Sequence, residues 1–224
     1  MKPPFWPPRA VLFDLDGTLI DSAAELALAV NRMRQARGQA ALPISEYRPF
    51  VGSGARGLLP IGLGVRPEDA TFPALREEFF DTYEACIGSA TQPFDGVATT
   101  LQQLETQGIR WGIVTNKIER FARPIAARTP AFAGCGALVG GDTTAHAKPH
   151  PEPLLEAARR LGIAPEHCIY VGDDRRDMQA GRSAGMGTVA ALYGYIATDE
   201  DVGTWPADWR IQSPLELSRL LGIE

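Results

Sequence analysis

Six short β-like runs, at 10–15, 109–115, 137–140, 168–172, 187–192 and 209–212, are spaced along the chain by stretches of helical pattern. Strands joined by a helix-length connection do not fold back as hairpins. They pair in parallel, each crossover carrying a helix over the sheet. The alternation therefore predicts an α/β fold, a Rossmann-like parallel sheet covered by helices. Helix punctuation agrees: 98–107 stops at Gly108, 151–161 opens with a proline and stops at Gly162, and Ser213-Pro214-Leu215-Glu216 predicts a capping box.

Residues 22–90 break the rhythm, with helical pattern at 23–37, 55–63 and 68–87 and no strand between. The simplest reading is a small all-α cap inserted after the first strand, hinged at small polar residues. The expected organisation is an α/β core of residues 9–21 and 91–224, a helical cap of 22–90 and a flexible proline-rich tail of 1–8. A chain of 224 residues is long enough for one such core with an insertion.

Composition removes several function classes. A net charge of −5 and only three lysines leave no basic face for nucleic acid. No apolar stretch approaches the roughly 20 residues needed to span a bilayer, and the prolines of the first ten residues interrupt any secretory signal, so a cytoplasmic location is expected. Cys86, Cys135 and Cys168 are odd in number and widely spaced, which speaks against a disulfide framework or a zinc site.

Chemistry gathers where the runs end. Asp14 and Asp16 stand at the end of the first, Thr115 and Asn116 at the end of the second, Lys148 in the loop after the third, and Asp173, Asp174 and Asp177 after the fourth. Ligands of open α/β sheets bind at the carboxyl ends of strands, so these clusters converge on one crevice. Residues two apart in extended chain point the same way, which puts Asp14 and Asp16 on one side. Their repulsion calls for a cation, and oxygen donors without His or Cys suit Mg²⁺.

The segments "DLDGTL", "VTN", "KPHPEP" and "GDDRRD", in that order, resemble the motifs of haloacid dehalogenase superfamily phosphatases. The resemblance implies that Asp14 attacks phosphorus and that Asp16 acts as general acid, then base. It implies Mg²⁺ held by the Asp14 carboxylate, the Asp16 main-chain carbonyl and Asp173, with Thr115, Asn116 and Lys148 binding the phosphoryl group. Asp174 or Asp177 would orient metal waters or Lys148. Dehalogenases of the superfamily usually lack an acid at the position of Asp16, and phosphonatases use a cap lysine, of which 22–90 has none.

Specificity is expected from the cap, because the core motifs read only phosphate. "FVGSGARGLL" places Gly52, Gly54 and Arg56 beside a predicted helix start and resembles the substrate loop of phosphoglycolate phosphatases. "RWGIVTNKIERFARPI" and "ALYGYIATDED" resemble the branch that includes N-acetylmuramic acid 6-phosphate phosphatases. Both substrates carry a carboxylate, so Arg56 does not separate them. The expectation is a phosphatase for a small phosphorylated metabolite, monomeric or homodimeric. A β-phosphoglucomutase-like sugar mutase and a phosphoacceptor signalling module are more distant alternatives. The second acid, Asp16, and the helical insertion weigh against the signalling module.

Overall fold

A computed structural model describes residues 7–197 and 200–224. Most of the expected tail, and Thr198 and Asp199 of the last quoted stretch, lie outside the described residues. The strands are β1 (Ala10–Phe13), β2 (Ile20–Asp21), β3 (Gln92–Pro93), β4 (Arg110–Val114), β5 (Leu138–Val139), β6 (Cys168–Gly172), β7 (Gly187–Ala191) and β8 (Trp209–Ile211). The helices are α1 (Ala23–Ala36), α2 (Ile44–Tyr47), α3 (Ala55–Leu63), α4 (Phe72–Glu84), α5 (Val97–Thr106), α6 (Glu119–Arg128), α7 (Glu152–Leu161), α8 (Arg175–Ser183) and α9 (Pro214–Leu221).

Backbone contacts divide the chain into two compact units, 1–20 with 93–224, and 21–92. The first holds a parallel sheet of order β5-β4-β1-β6-β7-β8. β1, β6 and β7 are buried along their whole length, which is why they read as continuous apolar runs rather than alternating ones. Leu12 and Tyr170 pack in one cluster with Leu154 and Ala157 of α7 and Ala180 of α8. Phe13, one residue on, points to the other face, towards Trp111 and the α5 and α9 residues Val97, Leu101 and Leu217.

Register decides where the chemistry falls. Phe13 stands opposite Ile113 on one side and Val171 on the other. Asp14, Val114 and Gly172 are therefore level, with Thr115 and Asp173 one residue further along their strands. β1 lies between strands reached by crossovers of opposite direction, so these ends open at the switch point of the sheet.

The second unit is α1 to α4 with a 3₁₀ turn at Arg48–Ser53. Its interior includes Leu26, Val30 and Met33 of α1, Leu58 and Leu59 of α3, and Phe79 and Tyr83 of α4. Glu25, fully buried, accepts the N–H groups of Gly88, Ala90 and Thr91 on one carboxylate oxygen at 2.9, 3.2 and 3.1 Å. It fixes the segment that follows α4, a role the sequence pattern did not disclose.

Elsewhere the local reading needs two corrections. The first strand stops at Phe13 rather than 15, and the capping box predicted at Ser213 does not form. Glu216 instead accepts the N–H of Gln212 at 2.7 Å. No helix among the described residues is long and apolar enough to cross a membrane.

Candidate active site

β1 delivers Asp14 while its own backbone is still paired: the Asp14 N–H donates to Val171 O at 2.8 Å. The Asp14 side chain meets Lys148, with Nζ 2.9 Å from Oδ1. Asp14 Oδ1 is buried and, among the described residues, makes no well-aligned hydrogen bond. It is thus an acceptor with spare capacity facing a charged site.

Lys148 is 5 % exposed, and its ammonium is held on several sides. It lies 2.7 Å from Asp177 Oδ1 and donates to Tyr170 Oη at 2.7 Å and Val114 O at 3.1 Å. Tyr170 in turn donates to Val114 O at 2.7 Å. Burial acts to lower the Lys148 pKa, but Asp14 and Asp177 outweigh it and hold the ammonium above its ordinary value.

Asp177 and Asp174 divide the work that the sequence could not apportion. Asp174 caps α8, accepting Arg176 N–H at 2.8 Å, and pairs with the Arg176 guanidinium at 2.6 Å. Asp177 returns the capping bond from Asp174 N–H at 3.1 Å and points its other oxygen at Lys148. Asp177 is therefore the acid in contact with Lys148, and Asp174 is a helix cap with an ion pair.

Asp173 sits in a fitted cradle. Thr18 Oγ1 donates to its Oδ1 and the Tyr195 N–H to its Oδ2, both at 2.8 Å. Gly17 takes φ +85°, and a Cβ there would stand 2.1 Å from Asp173 Oδ2; one on Gly194 would stand 2.3 Å from Asp173 Cβ. Either methyl would displace the carboxylate. Thr18 and the Gly194-Tyr195 turn were missed by sequence reasoning, although a glycine set between two tyrosines, Tyr193 and Tyr195, after β7 was a visible signal.

The Asn116 side chain, expected at the phosphoryl group, is bonded to the Lys148 backbone. Its Nδ2 donates to Lys148 O and its Oδ1 accepts Lys148 N–H, both at 3.0 Å, so it fastens the Lys148 loop to the end of β4. Thr115 is buried, and its hydroxyl oxygen accepts the Lys117 N–H at 3.1 Å. Asp16 pairs with Lys117, Nζ to Oδ2 3.0 Å, a contact the sequence reading did not foresee. Gly52 and Gly54 flank the end of the 3₁₀ turn and Arg56 is an exposed residue in the first turn of α3, all within the second unit.

Asp14, Asp173 and Asp177 each offer a carboxylate oxygen within 4.8 Å of the others. The donor set is oxygen alone, Asp14 Oδ1 has an ion-pair partner in Lys148 but no well-aligned hydrogen bond, and burial with the charges of Asp14 and Asp177 pushes the Asp173 carboxyl well above its usual range. These residues fit a hard divalent cation. Asp177 is already committed to Lys148, so Asp14 and Asp173 are the better placed ligands.

Burial raises Asp177 to about 7 against the pull of Lys148, with Asp14 adding to the rise. Carboxyls raised in the folded state contribute stability that is fully present below the ordinary carboxylate range and is lost as pH rises through the folded value. In chelator, the melting temperature should therefore fall between about pH 5 and pH 8, and a divalent cation should remove most of that fall. A melting temperature in chelator that rises over this interval would contradict the acid-cluster account.

Comparison with known proteins adds the family. Residues 8–185 match the haloacid dehalogenase-like hydrolase model. The chain is 48% identical to a phosphoglycolate phosphatase of Xanthomonas campestris pv. campestris over 210 residues, 94% of this chain and 95% of that protein. It is 38% identical to an N-acetylmuramic acid 6-phosphate phosphatase of Pseudomonas aeruginosa, covering 95% and 94%. A haloacid dehalogenase-like family protein from Streptococcus pneumoniae has the same fold, with a TM-score of 0.79, 23% identity, and coverage of 94% and 97%.

Proposed function

As the chain belongs to the haloacid dehalogenase-like hydrolase family and is one of its phosphatases, we propose that it hydrolyses a small carboxylate-bearing phosphate monoester, 2-phosphoglycolate, in the cytoplasm. The observation that carries the chemistry is the Asp14 carboxylate, at the switch point of the sheet, between the Lys148 ammonium and Asp173. In this reading residues 9–21 and 91–224 are the catalytic core and 22–90 the cap.

An Asp14 oxygen attacks phosphorus, the ester P–O bond breaks, and the leaving oxygen takes a proton from Asp16. Asp16 then removes a proton from water as that water attacks the aspartyl-phosphate, which frees inorganic phosphate and restores Asp14. Thr115 accepts from the Lys117 N–H and keeps its hydroxyl proton for a phosphoryl oxygen. Lys148 offsets the charge that gathers on the transferring group, and Asp177, Tyr170 and Asn116 keep it there. Mg²⁺ is the cation assigned to Asp14, Asp173 and the Asp16 carbonyl, where it would neutralise phosphoryl and carboxylate charge.

The substrate assignment is supported by the relative at 48% identity, and N-acetylmuramic acid 6-phosphate by the one at 38%. The test is kcat/KM with both esters and with p-nitrophenyl phosphate. A preference of at least about 10²-fold for 2-phosphoglycolate over the amino sugar ester is expected. The reverse preference assigns the alternative substrate, and a rate with both esters below that with p-nitrophenyl phosphate refutes a carboxylate-bearing substrate.

Gly52, Gly54 and Arg56 are the proposed readers of the substrate beyond its phosphate. Arg56→Ala should lower kcat/KM for the preferred ester by roughly 10- to 100-fold, the worth of one charge-assisted contact, and leave p-nitrophenyl phosphate nearly unchanged. Equal loss with both would place Arg56 in cap folding instead.

A further inference from the structure

The chain has three lysines, and two of them end on the two aspartates of the "DLDGTL" segment. Lys148 pairs with Asp14 at 2.9 Å, and Lys117 pairs with Asp16 at 3.0 Å. The second pair is not a surface contact. Its side chains are 8% and 15% exposed, whereas the Arg37–Glu78 pair of the second unit is 34% and 42% exposed. Shielding from solvent leaves the Lys117–Asp16 attraction less screened and the geometry more constrained.

The backbone of Lys117 is fixed at both ends. Its N–H donates to Thr115 Oγ1 at 3.1 Å, and its carbonyl accepts the Gly141 N–H at 2.9 Å. The loop after β4 therefore presents Thr115 and Lys117 as one rigid piece. A carboxylate tethered through one oxygen loses its freedom to rotate, and proton transfer depends steeply on where the donating oxygen stands. On the reading of Asp16 as the acid and base of the reaction, we infer that Lys117 is a positioning residue: by holding Asp16 Oδ2 it keeps the other carboxyl oxygen, which carries the proton in the first step, in line with the leaving oxygen.

Lys117 acting through Asp16 makes its importance depend on the leaving group. Alkoxide departure needs a proton, whereas p-nitrophenolate departs without one. Lys117→Met keeps the apolar stem and removes the charge. It should lower kcat/KM by roughly 10- to 100-fold with propyl phosphate and with 2-phosphoglycolate, and by less than about threefold with p-nitrophenyl phosphate. Lys117→Arg, which keeps the charge, should return the propyl phosphate rate to within about tenfold of the parent.

Propyl phosphate separates this role from direct recognition of the substrate, since it carries no carboxylate. Loss confined to 2-phosphoglycolate would make Lys117 a substrate contact and overturn the inference. So would equal loss with all three esters. The decisive arm is a double-mutant cycle, read as the single-turnover rate of phosphoenzyme formation from propyl phosphate. Lys117→Met should cost little once Asp16→Asn is already present, and a full loss in that background overturns the inference alone. An Asp16→Asn protein as fast as the parent with propyl phosphate would remove the acid assignment, and this inference with it.

Discussion

Asp14→Asn should fold like the parent and lose at least about 10³-fold in kcat, because the residue contributes in the chemical step itself. The amide has nearly the shape of the carboxylate and is a far weaker nucleophile. The fold should survive because Lys148 keeps its other carboxylate partner, Asp177 at 2.7 Å, and its neutral acceptors Val114 O and Tyr170 Oη. Asp173 also loses one of the two charges that crowd it. The variant's melting temperature in chelator should therefore equal or exceed the parent's. A folded Asp14→Asn protein within tenfold of parent activity would refute the nucleophile, and a variant that unfolds would show that Asp14 is needed to neutralise Lys148.

The sheet was legible because its central strands β1, β6 and β7 are buried on both faces, so that apolar runs and helical spacers appear in the sequence as blocks. The strand ends were legible for the same reason: acids that close an apolar run stand out. What the sequence hid were contacts made across strands. Tyr170 reads as one more apolar residue of β6, yet its hydroxyl reaches Lys148 and Val114 because β6, β1 and β4 are neighbours in register. Thr18 reads as part of a turn, yet it holds Asp173, 155 residues away. Only the fold shows that the Asn116 side-chain amide is bonded to the Lys148 backbone. Lys117 could have been noticed on scarcity alone in a chain whose cations are nearly all arginine.

Lys148→Met is expected to have the largest effect on stability. The ammonium is almost fully buried, and its neighbours include two carboxylates, a carbonyl and a tyrosine hydroxyl. Methionine has similar length and no charge, so the cavity stays filled while Asp14 and Asp177 lose their common counter-charge. Removing one partner of a buried ion pair costs about 3–5 kcal/mol, and the loss of an electrostatic contact to the transferring group should lower kcat by roughly 10²- to 10³-fold. The sign of the pH dependence separates this from simple misfolding. In the parent, Lys148 opposes the rise that burial imposes on Asp177; without it, the Asp177 carboxyl moves further up. The folded variant then takes up more protons than the unfolded chain, so its deficit should be greatest near pH 8 and shrink towards about pH 5 as that carboxyl becomes neutral. Urea unfolding in chelator at both pH values reads this directly. Adding Asp177→Asn to Lys148→Met should recover part of the loss at high pH, because one orphaned charge is gone. A deficit independent of pH, or a second substitution that deepens it, would mean that Lys148 acts in the fold through its packing rather than as the counter-ion of two acids.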